Sequence, residues 1–130
     1  MFDQFALHRT QPMIGRFRRY GLDAVRRLGL TDWGWTFIMY PQPRNVDRRM
    51  AWVSAEFASR AANVELYSPW SVPPTDDELR RTAVHEVCHV LIGHLATLAR
   101  QRCPAHPDAI EEAEHAIIQR LESALTEPPA

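Results

Sequence analysis

The chain is predicted to belong to the α+β class, with an N-terminal helix, a small and mainly antiparallel sheet of three strands, and two further helices. Three observations predict this. Apolar residues recur at helical spacing in three segments, each with start or stop signals around it. Three short runs rich in aromatic and β-branched residues lie between the first and second of these segments. The length, 130 residues, suits one compact domain (1–130) able to bury a core without disulfide staples.

The first helix is read over Pro12 to Leu28. Ile14, Phe17, Leu22, Val25 and Leu28 recur at helical spacing with arginines between them, and Gly29 stands where a C-terminal glycine cap is expected. Trp35 to Tyr40 reads as a strand that stops at Pro41, and Pro41 to Arg49 reads as a loop. Ala51 to Phe57 and Asn63 to Tyr67 alternate as strands, with a turn around Ser59 to Ala62. A proline-punctuated linker, Pro69 to Pro74, hands over to the second helix. Thr75-Asp-Asp-Glu78 is a capping-box sequence with Thr75 as N-cap, and that helix runs to about Arg100. After a break at Cys103 to Pro107, Asp108 is expected to cap a last helix, with Glu111 as its capping partner, ending before Pro128.

Net charge is −1, and all fifteen basic residues are arginine. Residues 1–30 carry Arg9, Arg16, Arg18, Arg19, Arg26 and Arg27 against Asp3 and Asp23, while Glu111, Glu112 and Glu114 make the far end acidic. A modest basic patch follows from this, but no nucleic-acid partner is required by the charge balance. Cys88 and Cys103 have neither metal-pair spacing nor the pattern of a disulfide framework. No run has the length to span a membrane, nor does the N-terminus have the apolar core of a signal peptide. The expectation is a reduced, cytoplasmic protein with no membrane partner. Trp33, Trp35, Trp52 and Trp70 are expected in core and rim packing.

The chemistry concentrates at His85-Glu86-Val87-Cys88-His89, an HExxH sequence on the second helix. Histidines at i and i+4 lie one above the other on a single face, so both imidazoles can reach one zinc ion. Glu86, adjacent to that face, can take a proton from a water made acidic by the metal and pass it to a leaving amine. Val84, Cys88, Leu91, Ile92, Leu95 and Ala99 form an apolar stripe that His85 and His89 flank. Such ligands would be oriented by the core and open to a cleft.

Zinc needs a third protein ligand. His94 follows closely, but it lies about 160° around the helix from the midpoint of His85 and His89. In the last helix, Ile110, Glu114, Ile117 and Leu121 share a stripe, so Glu114 interrupts a buried apolar face. A buried carboxylate is costly unless paired or metal-bound, and zinc would supply the partner. Glu114 therefore ranks first as third ligand, followed by Glu111, His106 and His115. No oxyanion stabiliser is identified; Tyr67, His106 and His115 are the candidates.

On these residues the chain resembles a minimal zincin. It is similar in layout to the small bacterial and phage-encoded HExxH proteins related to SprT-like metallopeptidases. The resemblance spans nearly the whole chain, but only the five motif residues are specific. It implies a zinc-dependent metallopeptidase in which His85 and His89 are ligands and Glu86 is the general base. In the glutamate-using, gluzincin-like branch the last helix donates the third ligand, which would be Glu114 here. The resemblance also implies that Asn63 to Tyr67 is an edge strand able to pair with an extended protein or peptide substrate. The metzincin pattern is absent, because Ile92 and Leu95 occupy its glycine and third-histidine positions. The alternative is a catalytically silent zincin-like binding or regulatory module, associated with nucleic acid through the arginine-rich first helix.

Overall fold

A computed structural model describes residues 4–40, 50–67 and 73–127, the side chains of 4–11 aside. The loop expected over 41–49 lies outside the described residues, as do 69–72 of the linker and with them the packing expected of Trp70. The element order is α1 (Gln4–Arg27), β1 (Gly34–Tyr40), β2 (Ala51–Glu56), β3 (Ala61–Tyr67), α2 (Asp76–Arg102) and α3 (Pro107–Thr126), an α+β arrangement of three helices and a three-stranded sheet. None of the described helices is long and apolar enough to cross a membrane.

Local signals act where the sequence puts them. Gly29 adopts φ +70°, the left-handed region in which a side chain is strained. The amides of Gly29 and Leu30 close back on the carbonyls of Arg26 and Val25 at 3.2 and 2.9 Å, a Schellman ending for α1. Val25 and Leu30 then bury together in one core cluster. Thr75 caps α2 as expected, its side chain accepting from the Glu78 amide at 3.1 Å. α1 begins at Gln4 and carries Pro12 inside it, although proline reads as a helix boundary. α3 also starts earlier than predicted. Its N-cap is His106, with no side-chain cap bond, and Pro107 occupies the first turn. Proline suits that position because its fixed φ is already helical and its missing N–H had no partner to lose. Asp108 therefore sits within the first turn, where its charge favours the helix dipole, and Glu111 is no capping partner.

The strand order is β1-β3-β2, with β1 parallel and β2 antiparallel to β3. β3 is therefore central, not the edge strand that the resemblance implied. Its alternate residues Ala62, Val64 and Leu66 are all buried, and Val64 and Leu66 pack with Phe17, Leu79 and Ala83. The edge on the side of α2 is β2.

One face of the sheet packs on α1 and α2. Phe17, Val64, Leu66, Leu79 and Ala83 form one cluster. Ala24, Val25, Val84, Val87, Cys88 and Ile118 form a second, which joins α1, α2 and α3. Trp35 packs against both clusters and donates its ring N–H to the Leu30 carbonyl at 3.0 Å. The C-terminus of α3 is tied down by two guanidinium groups: Arg27 and Arg80 both donate to the Leu125 carbonyl, at 2.8 and 3.3 Å. That anchorage matters because α3 supplies half of the site.

Candidate metal centre

A cleft of about 620 Å³ opens between β2, α2 and α3. Its sheet wall is β2 with Met50 and Phe57; its helical walls carry His85, Glu86 and His89 from α2 and Glu114, His115 and Glu122 from α3. Phe57 closes the end beside Gly93. A Cβ on Gly93 would lie 2.8 Å from the tip of that ring, so the absent side chain makes room for it. The ring is also stacked on His94, with centroids 5.2 Å apart, and meets Trp33 edge-on. His94 is thereby accounted for as an exposed stacking partner outside the cleft's histidine group.

His85 and His89 stand one turn apart on α2 and point at each other's Nε2, 3.2 Å away. His115 of α3 joins them: ring centroids lie 6.0 Å from His85 and 5.2 Å from His89. One ligating nitrogen from each of the three lies within 4.8 Å of the others. Two nitrogens bound tetrahedrally to zinc at about 2.0–2.1 Å would be about 3.3 Å apart, so the 3.2 Å separation suits a shared ion. The third imidazole needs only a short approach.

Glu114, the third ligand expected from the sequence, is not among the three. It is buried, as its position in the apolar stripe predicted, but its partners are protein groups. One oxygen accepts from Arg100 at 3.0 Å, and the other faces Nδ1 of His89 at 3.6 Å. That oxygen is across the ring from Nε2, the wrong side for a ligand shared with His85. His115, one residue further along α3, faces the cleft instead. Glu111 is exposed at the cleft's rim and His106 is exposed at the start of α3; neither belongs to the histidine group. Tyr67 donates its hydroxyl to Glu65 at 2.9 Å and does not line the cleft, which leaves it no part in stabilising an oxyanion.

Glu86 is 8 % exposed and lines the cleft beside the two motif histidines. His89 is held neutral near pH 7. Burial above all, and then the neighbouring His85, lower its pKa to about 4, against the pull of Glu114. A neutral imidazole is the form that ligates metal. Cys88, in the core stripe that the two histidines flank, is pushed up to about 11 by burial and by Glu122, so it stays a protonated thiol.

Two residues of this region had no role in the sequence reading. Arg100 holds Glu114, and Glu122 contacts Nδ1 of His85 at 3.1 Å. The usable signal for Glu122 was its spacing from His115: seven residues, two helical turns, puts both on one face of α3. Nothing comparable marked Arg100, whose partner lies across a helix–helix contact.

Comparison with protein-family models, with curated proteins and with solved structures finds no match to this chain.

Proposed function

We propose that the protein is a zinc-dependent metallopeptidase of minimal zincin-like design, with His85, His89 and His115 holding the ion and Glu86 serving as general base. The observation that carries this reading is the meeting of three imidazoles from two helices, two of them at tetrahedral spacing, with the motif glutamate in the same cleft. Three neutral nitrogen ligands with a fourth position left open form the donor set of a catalytic zinc site. Zinc bound there would polarise a substrate carbonyl and make a water more acidic.

The remaining work falls to the chain itself. Glu86 accepts the proton of the attacking water and returns it to the leaving amine. Low exposure favours that exchange, because few competing waters reach the carboxylate. The substrate is an extended protein segment. Among the described residues, β2 pairs with β3 alone, so its outer edge offers backbone groups along the cleft wall. The arginine-rich face of α1 favours nucleic acid less than its composition suggested. Arg16 pairs with Asp76, Arg26 with Asp23, and Arg27 with the end of α3. Both cysteines are free thiols, consistent with a reducing, cytoplasmic setting.

The test joins metal content to hydrolysis. Purified wild-type protein should carry about one zinc per chain, lost in His89→Ala and His115→Ala. Glu86→Gln should keep its zinc while cleavage of an unfolded protein substrate drops by about 10²–10⁴-fold. Wild type that takes up no zinc when supplied, or a Glu86→Gln variant as active as wild type, would sink the proposal. Zinc without hydrolysis in the wild type would leave the binding-module alternative.

A further inference from the structure

We infer that Glu122 and Glu114 are positioning residues that bracket the histidine pair. Glu122 takes the Nδ1 proton of His85 and Glu114 faces Nδ1 of His89, so that both Nε2 atoms are turned toward a common ion. The inference rests on the metal-centre reading and extends it to groups that touch neither ion nor substrate.

An ionised carboxylate can only accept, so Nδ1 of His85, 3.1 Å from Glu122, must be the donor of that contact. The proton on Nδ1 leaves the lone pair of a neutral imidazole on Nε2. Glu114 faces Nδ1 of His89 from the same outer side at 3.6 Å, beyond hydrogen-bond distance. Its own orientation is fixed by Arg100, which binds its second oxygen at 3.0 Å. The two carboxylates lie eight residues apart on α3 and the two histidines four apart on α2, so the carboxylates approach from outside the pair. That outside grip accounts for the inward Nε2 atoms and their 3.2 Å separation.

Charge supports the same arrangement, since Arg100 pairs with Glu114 and fixes the carboxylate that faces His89. Outer partners of this kind both set the tautomer and raise ligand basicity.

Two measurements test the inference. The first needs no variant. Nitrogen-15 NMR of the histidine rings at about pH 8, where free histidine is neutral, should find His85 protonated at Nδ1 in the metal-free wild type, its Nε2 accepting from Nε2 of His89. Protonation of His85 at Nε2 would overturn the inference, whether or not zinc binds. The second is zinc affinity by chelator competition. Glu122→Gln should bind about 10–100-fold more weakly than wild type, with an altered visible spectrum of the cobalt-substituted protein. Unchanged affinity and spectrum in Glu122→Gln would overturn the positioning role while leaving the metal centre intact. Failure of the wild type to bind zinc or cobalt would instead remove the metal-centre reading.

Discussion

The two halves of α2 share one helix and one amphipathic pattern, yet they live in different surroundings. From Leu79 to Val90 the helix contributes Leu79, Ala83, Val84, Val87 and Cys88 to the two core clusters, and it carries the histidine pair between the sheet and α3. From Leu91 onward the apolar stripe continues in sequence but not in burial: Leu91 is 40 % exposed, Leu95 70 % and Leu98 47 %. Of the distal apolar residues, Ile92 still packs against the cluster that holds Ala24 and Val25, whereas the three leucines lie open to solvent. What holds the distal half is a different set of contacts, namely Phe57 on Gly93 and His94, buried Ala96, and the Arg100–Glu114 pair. Periodicity thus marks which face of a helix is apolar. Only the neighbours decide how far along that face is buried.

The largest effects should come from the enclosed half. Leu79 is 1 % exposed and packs with Phe17, Val64 and Leu66. Truncation to alanine should cost about 2–5 kcal/mol, the transfer term plus the cavity left behind. Equilibrium urea unfolding of metal-free Leu79→Ala beside wild type measures it. A loss below about 1 kcal/mol would mean that the sheet and α1 close over the gap, and that this half is less tightly packed than its burial implies.

That contrast also explains what could be read from the sequence. Features set within one or two turns were legible: the Thr75 cap, the Gly29 ending, the HExxH face, and the burial of Glu114. Features set by the meeting of distant elements were not. Glu114 and His115 differ by one position, about 100° around α3, and the choice between them as neighbour of Nε2 depends on how α3 is rotated against α2. No pattern within α3 encodes that rotation. The partner of buried Glu114 was misread for the same reason: Arg100 lies on another helix, and a metal was the only compensating charge that local reasoning could offer. The edge position that the resemblance implied for β3 is not met, and alternation, which identifies a strand but not its neighbours, offered no check on it. The central place of β3 follows from a parallel pairing with β1 that no local signal announces.

A second contrast sharpens the picture through pH. His89 ends the enclosed half, and its burial there lowers its pKa from 6.5 to about 4. Between those values the unfolded chain holds more protons than the folded one, so the free energy of unfolding rises with pH across the window. The metal-free protein should keep this contribution above about pH 6.5 and lose it as pH falls toward 4, on the order of 2 kcal/mol. Glutamine at position 89 removes the titrating group, so unfolding of His89→Gln should vary less with pH than that of wild type over this range. Equal slopes in the two proteins would mean that His89 is not enclosed strongly enough to resist protonation.

The smallest effect is expected at Leu95, and a small effect there is informative. With 70 % of its surface exposed, this side chain leaves little apolar area for folding to remove from water, and α2 gains little from it beyond helix propensity. Glutamine has nearly the same propensity as leucine. Leu95→Gln should therefore change the unfolding free energy by no more than about 0.5 kcal/mol, and zinc affinity should be unchanged, because residue 95 does not line the cleft. Urea unfolding and chelator competition on the one variant measure both. A loss above about 1 kcal/mol would mean that the distal half carries core that the exposure of Leu91, Leu95 and Leu98 does not reveal. Weakened zinc binding at undiminished stability would mean that the distal half steers the site through Arg100 and Glu114, coupling two regions that their packing otherwise separates.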